Sequence, residues 1–99
     1  MTEAEFQAKL KKEILEKIPD SIVLKMDPTA VGIQGFPDLL ILKGDKWAAL
    51  EVKKDENANH QPNQDHYVNQ IKQMGNYSAF IFPENKKEIL NELARALNA

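Results

Sequence analysis

Ninety-nine residues, 42% of them hydrophobic, suit one compact domain with a modest core, taken to span residues 1–99. The absence of cysteine excludes a disulfide framework, a thiolate metal site and a cysteine nucleophile. A formal charge of −2 lacks the basic footprint of a large non-specific nucleic-acid binder. The N-terminus has no signal-like apolar stretch and no run reaches membrane length, so a cytoplasmic protein without membrane contact is expected.

Thr2 followed by Glu5 fits a capping box that starts a helix at Glu3, and Phe6, Leu10, Ile14 and Ile18 form its apolar stripe. Pro19-Asp20 ends it. "SIVLKM" reads as a short strand closed by Asp27-Pro28, and residues 28–36 read as an irregular loop punctuated by Gly32 and Gly35. "PDLLILK" and "KWAALEVKK" are two strands joined by Gly44-Asp45, a two-residue spacer of hairpin type. After the polar loop "DENANHQ", Pro62 opens a helix that runs to about Met74 and stops at Gly75. "YSAFIF" is a further strand. Asn85 with Glu88 caps a last helix carrying Ile89, Leu90, Leu93 and Leu97 on its apolar face. The order is α-β-β-β-α-β-α.

The charges inside the apolar strands are the informative departure. A tight hairpin sets Lys43 against Lys46, which puts Asp38 opposite Glu51, and Lys53 on the same side as Glu51. Facing carboxylates lie about 5 Å apart at Cβ. At an effective dielectric near 20 they repel by on the order of 3 kcal/mol. A favourable cross-strand pair returns only roughly 0.2–1 kcal/mol. A shared proton, a nearby cation such as Lys53, or a hard divalent ion must therefore neutralise them. A Pro-Asp pair or a Glu-x-Lys triplet alone recurs by chance; the shared register and apolar surroundings give this combination its weight.

Helical phase adds two polar residues on inward faces. Glu3 lies about 20° from Leu10 on the first helix, and Gln64 lies about 20° from Ile71 on the second, sharing a face with Tyr67. Glu3 reads either as a third carboxylate at the site or as a solvated first-turn residue. Gln64 reads either as a helix-end amide bonding the loop or as a group holding a phosphate, a water or Lys53. Glu5 is accounted for by capping. His60 and His66 read as surface residues, Tyr67 and Trp47 as core, and Lys54 as solvated.

In this order the residues resemble the PD-(D/E)XK nuclease superfamily, with Pro37-Asp38 as the PD element and Glu51-Val52-Lys53 as the (D/E)XK element. More narrowly the chain resembles the small stand-alone VRR-NUC domains of phages and related genomes. Glu3 on a leading helix, Gly35-Phe36-Pro37-Asp38, Glu51-Val52-Lys53, Gln64-Asp65-His66-Tyr67 and Gly75 carry that likeness. The resemblance implies an α/β, restriction-endonuclease-like core, a mixed central sheet flanked by helices. It implies a Mg²⁺- or Mn²⁺-dependent DNA endonuclease, with selectivity for branched or junction DNA as found in some members of the group. Asp38, Glu51, Lys53 and Gln64 would be its catalytic residues. The ion would be bound by Asp38, Glu51, Glu3 and the Val52 backbone carbonyl. Lys25, Gly32, Gly35 and Lys54 would contact nucleic acid. Homodimerisation, 5′-phosphate and 3′-hydroxyl products, and no organic cofactor complete the expectation. A competing reading is a nuclease-fold module that binds DNA or a partner protein without cutting. A third is a structural protein in which Lys53 bridges the two carboxylates.

Overall fold

The structure is a computed structural model and describes residues 1–27 and 32–98. The expected elements appear in the expected order: α1 (Glu3–Lys17), β1 (Ile22–Lys25), β2 (Leu39–Lys43), β3 (Lys46–Val52), α2 (Pro62–Gln73), β4 (Tyr77–Ile81) and α3 (Lys86–Asn98). Of the loop expected over 28–36, residues 28–31 lie outside the described residues.

Local chemistry sets the boundaries. Thr2 and Glu5 exchange reciprocal bonds, Glu5 N–H to Thr2 Oγ1 and Thr2 N–H to Glu5 Oε1, both 3.1 Å, which satisfies the first free donors of α1. Gly44 turns the hairpin at φ +60 while Asp45 after it does not take a positive φ, which is the pattern of a type II′ turn. Gly75, at φ +90, ends α2, and the Asn76 N–H reaches back to the Ile71 carbonyl.

The four strands form one sheet in the order β1-β2-β3-β4, antiparallel for the first two pairings and parallel for β3 with β4. The hairpin register is the one read from the sequence, Lys43 against Lys46 through Leu39 against Leu50. One sheet face, with Val23, Leu39, Ile41, Leu50, Val52 and Ile81, packs against Phe6, Leu10 and Ile14 of α1 and Ile89, Leu90, Leu93 and Leu97 of α3. The α2 helix connects the parallel strands and packs on β3 and β4, with Val68 and Ile71 buried outside that main core.

Two expectations need correction. The Asn85 carbonyl accepts from Ile89 N–H as a cap should, but its side chain turns back to β4, accepting from Phe82 N–H (2.9 Å) and donating to the Phe80 carbonyl (3.1 Å). These backbone groups lie on the strand's free edge, where an amide supplies the missing ladder partner. Trp47 and Tyr67 are also not core residues. Both are half-buried, Trp47 on the part of the sheet that α2 leaves uncovered and Tyr67 against Phe36, with ring centroids 5.9 Å apart.

Candidate functional site

Where β2 and β3 meet beyond their last paired residues, Asp38 and Glu51 come together. Pro37 is fully buried and leads into Asp38, whose carbonyl accepts from Met26 N–H at 2.7 Å and so extends the β1–β2 pairing past Lys25. The Asp38 side chain is fixed as well, because Val52 N–H donates to Oδ2 at 2.8 Å. Glu51 is only 2% exposed. Its carboxyl hydrogen-bonds Asp38, and its pKa is pushed up to about 10. Burial is the largest cause, followed by the hydrogen bond to Asp38 and its charge; Lys53 opposes these, and Glu3 adds a small upward push. The conflict expected from the register is therefore resolved by a proton shared across the strands.

Lys53 is 7% exposed, and its ammonium donates to Gln64 Oε1 at 2.6 Å and to the Asn59 carbonyl at 3.1 Å. Among the described residues it forms no ion pair within 4.0 Å, so Lys53 does not bridge the carboxylates as the structural-protein reading required. Gln64 Oε1 also accepts from Gln61 N–H at 2.9 Å. One amide oxygen thus joins the buried ammonium to the start of α2.

The remaining predicted residues occupy the surroundings. Glu3 is exposed in the first turn of α1, near enough for its charge to act on Glu51. Among the described residues, no three His, Cys, Asp or Glu side chains converge as a metal-ligand cluster, so the convergent set is the Asp38–Glu51 pair. Lys25 and Lys54 are exposed, as is Gly32 at φ +75. Gly35, at φ +87, permits a close approach by the chain itself: a Cβ there would lie 2.4 Å from Asn63 Cβ. Beside it, Gln34, Gly35, Gln61, Pro62, Asn63 and Gln64 line an open cleft of ≈ 550 Å³.

Sequence reasoning missed His60. It is exposed as expected, yet its ring stacks on Phe80 with centroids 4.0 Å apart at 11°, and its Nδ1 lies 3.0 Å from Asp65 Oδ1. Phe80 is the β4 partner of Glu51. His60 therefore anchors the segment whose flanking residues, Asn59 and Gln61, bind Lys53 and Gln64. Its loop position hid this, because the stack depends on the parallel β3–β4 pairing.

No family model matches the chain, and no curated protein matches it significantly. Solved structures do. A VRR_NUC domain protein superposes with TM-score 0.74 at 19% identity, covering 97% of this chain and 90% of that one. Hjc, a Holliday junction resolvase from the archaeal hyperthermophile Archaeoglobus fulgidus, superposes with TM-score 0.56 at 15% identity over 80% of this chain and 67% of that one. The chain thus has the α/β nuclease fold of these proteins, with its facing Asp38–Glu51 pair at the end of the central hairpin.

Proposed function

We propose that the protein is a Mg²⁺- or Mn²⁺-dependent DNA endonuclease that hydrolyses phosphodiester bonds, with branched or junction DNA as its preferred substrate. The observation that carries this reading is the pairing of Asp38 with a buried Glu51 beside an ammonium held by Gln64. The fold shared with a VRR_NUC domain protein and a Holliday junction resolvase supports it.

The donor set fits a hard cation. Two facing carboxyl groups, one of them dehydrated, need either a proton or a positive ion between them, and a magnesium ion is commonly held by one or two carboxylates and completed by water and phosphate oxygens. Asp38, Glu51 and the Val52 carbonyl would hold it, with Glu3 reaching the shell directly or through water. When bound, such an ion lowers the pKa of a coordinated water and offsets charge on the scissile phosphate.

The chain's own groups then divide the work. Glu51 would give up its proton to solvent in order to serve as a ligand. Asp38 stays oriented by the Val52 N–H. Lys53, fixed by Gln64 and Asn59, directs its charge at the attacking oxygen and the phosphate, and the products are a 5′-phosphate and a 3′-hydroxyl. A homodimer belongs to the same reading. It is supported by an apolar sheet face that α2 does not cover, where Ile22 is 59% and Leu24 41% exposed beside half-buried Leu40, Leu42 and Trp47.

The test is incubation with Mg²⁺ or Mn²⁺ and supercoiled, linear, single-stranded and four-way-junction DNA. Cutting that is abolished by Asp38→Ala is expected; cutting that survives this substitution overturns the assignment. The net charge of −2 and the convergence of only two carboxylates among the described residues favour the non-cutting module as second reading. Calorimetry that detects no binding of either ion, with or without DNA, would select it.

A further inference from the structure

A second cleft lies on the α1 side of the sheet, lined by Ala4, Gln7, Ala8, Lys11, Lys25 and Leu39, with a volume of ≈ 180 Å³. Gln7 and Lys11 are one helical turn apart and share a face of α1 with the small residues Ala4 and Ala8, which leave the space open. Lys25 closes it from the end of β1. Two exposed lysine side chains and an amide thus border a mostly apolar cleft. Among the described residues neither Lys11 nor Lys25 makes an ion pair.

Gln7 supplies an independent sign. Its Nε2 donor is shut off from solvent and has no hydrogen-bond acceptor among the described residues. A buried amide donor without an acceptor is rare in folded proteins, and because the Gln7 side chain is only partly buried, a turn of its amide brings the donor to an oxygen placed in the cleft. Two ammonium donors beside it make an anionic oxygen the fitting acceptor, and Lys and Gln side chains are regular partners of nucleic-acid phosphates.

Two routes through the fold place this cleft next to the proposed catalytic centre. Along α1, Gln7 follows Glu3 by four residues, about 6 Å of helix rise. Across the sheet, Lys25 pairs with Leu39, the residue after Asp38. We infer that Gln7, Lys11 and Lys25 form a subsite for a backbone phosphate of DNA, neighbouring the one that is cut, and that it positions the strand over Asp38 and Glu51. The inference rests on the nuclease reading above and adds Gln7 and Lys11 to the nucleic-acid surface.

Lys11→Ala, Gln7→Leu and, as a control at the far end of the same helix, Lys17→Ala test it. Binding of a labelled duplex and of a four-way junction is titrated over a range of salt, in EDTA and in Mg²⁺, beside a cleavage assay. Lys11→Ala is expected to weaken binding of both DNAs about tenfold and to lower the slope of log K against log salt by about 1, the mark of one lost phosphate contact. Gln7→Leu, which removes the orphaned donor without adding charge, is expected to keep the thermal midpoint and lose affinity. Lys17→Ala is expected to match the wild type. If Lys11→Ala and Gln7→Leu bind with unchanged affinity and slope while Asp38→Ala still abolishes cutting, the subsite is overturned and the nuclease assignment stands. If the wild type binds neither DNA in either condition, both fall together.

Discussion

The Asp38 and Glu51 carboxyl groups share a hydrogen bond across β2 and β3, and burial holds Glu51 protonated with its pKa pushed up to about 10. An unfolded chain would release that proton near the ordinary value of 4.5. Between these values the folded state binds the extra proton, so metal-free stability is fully present below the lower value and falls as pH rises towards the upper one, by at most about 1.4 kcal/mol per pH unit. Urea unfolding in EDTA across pH 5 to 9 measures this. Glu51→Gln, an uncharged isostere able to donate to Asp38, is expected to flatten the dependence while abolishing cutting. A wild-type stability that rises over this range would contradict the shared-proton arrangement.

Metal binding at the same pair has to displace that proton. Titration with Mn²⁺ near neutral pH is expected to release close to one proton per ion. Calorimetry in two buffers of different ionisation enthalpy reads the number directly. Glu51→Gln is expected to remove the release. Asp38→Ala is expected to lose ion binding.

Lys53 and Gln64 form the second half of the site, and their contributions separate by substitution. Lys53→Met keeps the buried stem and deletes the charge, so cleavage is expected to fall by about 10²–10³ with the fold retained. Gln64→Ala leaves the ammonium with the Asn59 carbonyl alone, and a milder loss of about 10–100-fold is expected, the range for partners that orient a site residue. Single-turnover cleavage rates at saturating enzyme distinguish these from binding defects.

His60 acts at one remove, through the segment it pins to Phe80. His60→Ala is expected to lower the cleavage rate about tenfold with little change in DNA affinity, because the backbone groups it positions bind Lys53 and Gln64. His60→Phe, which keeps a flat ring over Phe80, is expected to restore most of the rate. Equal losses in both variants would assign the histidine's importance to its contact with Asp65 instead.

The open sheet face predicts self-association. Ile22→Glu with Leu24→Lys is expected to shift the protein from dimer to monomer while leaving the helix and strand content unchanged. Light scattering after size exclusion, over a tenfold concentration range, checks this. An unaltered mass in the double variant would place any dimer contact elsewhere.

Much of this arrangement is legible in the amino-acid sequence. The four-residue recurrence from Phe6 to Ile18, the Thr2–Glu5 cap and Gly44-Asp45 are short-range signals, and the hairpin turn carries its register down two strands to the carboxylates. Gln64 was readable because a polar residue interrupted an inward helical stripe. What could not be read depended on the parallel β3–β4 pairing or on two helices approaching one sheet. The His60–Phe80 stack, the return of Asn85 to the strand edge and the orphaned Gln7 donor are all of that kind. Helical phase pointed Glu3 inward, but it did not register that the first turn extends past the core, where the residue is exposed.

The contact between Gly35 and Asn63 has a consequence for how the two halves of the site keep their spacing. Asp38 follows closely on the glycine, and Gln64 comes directly after the asparagine; with room for no methyl group between them, the backbone bend and the helix start act as the closed jaws of a caliper. The stretch from Lys54 to Ala58, ahead of the Asn59, His60 and Gln61 contacts, can then vary in length among descendants of this sequence without altering the carboxylate-to-ammonium distance, provided that the jaws still meet.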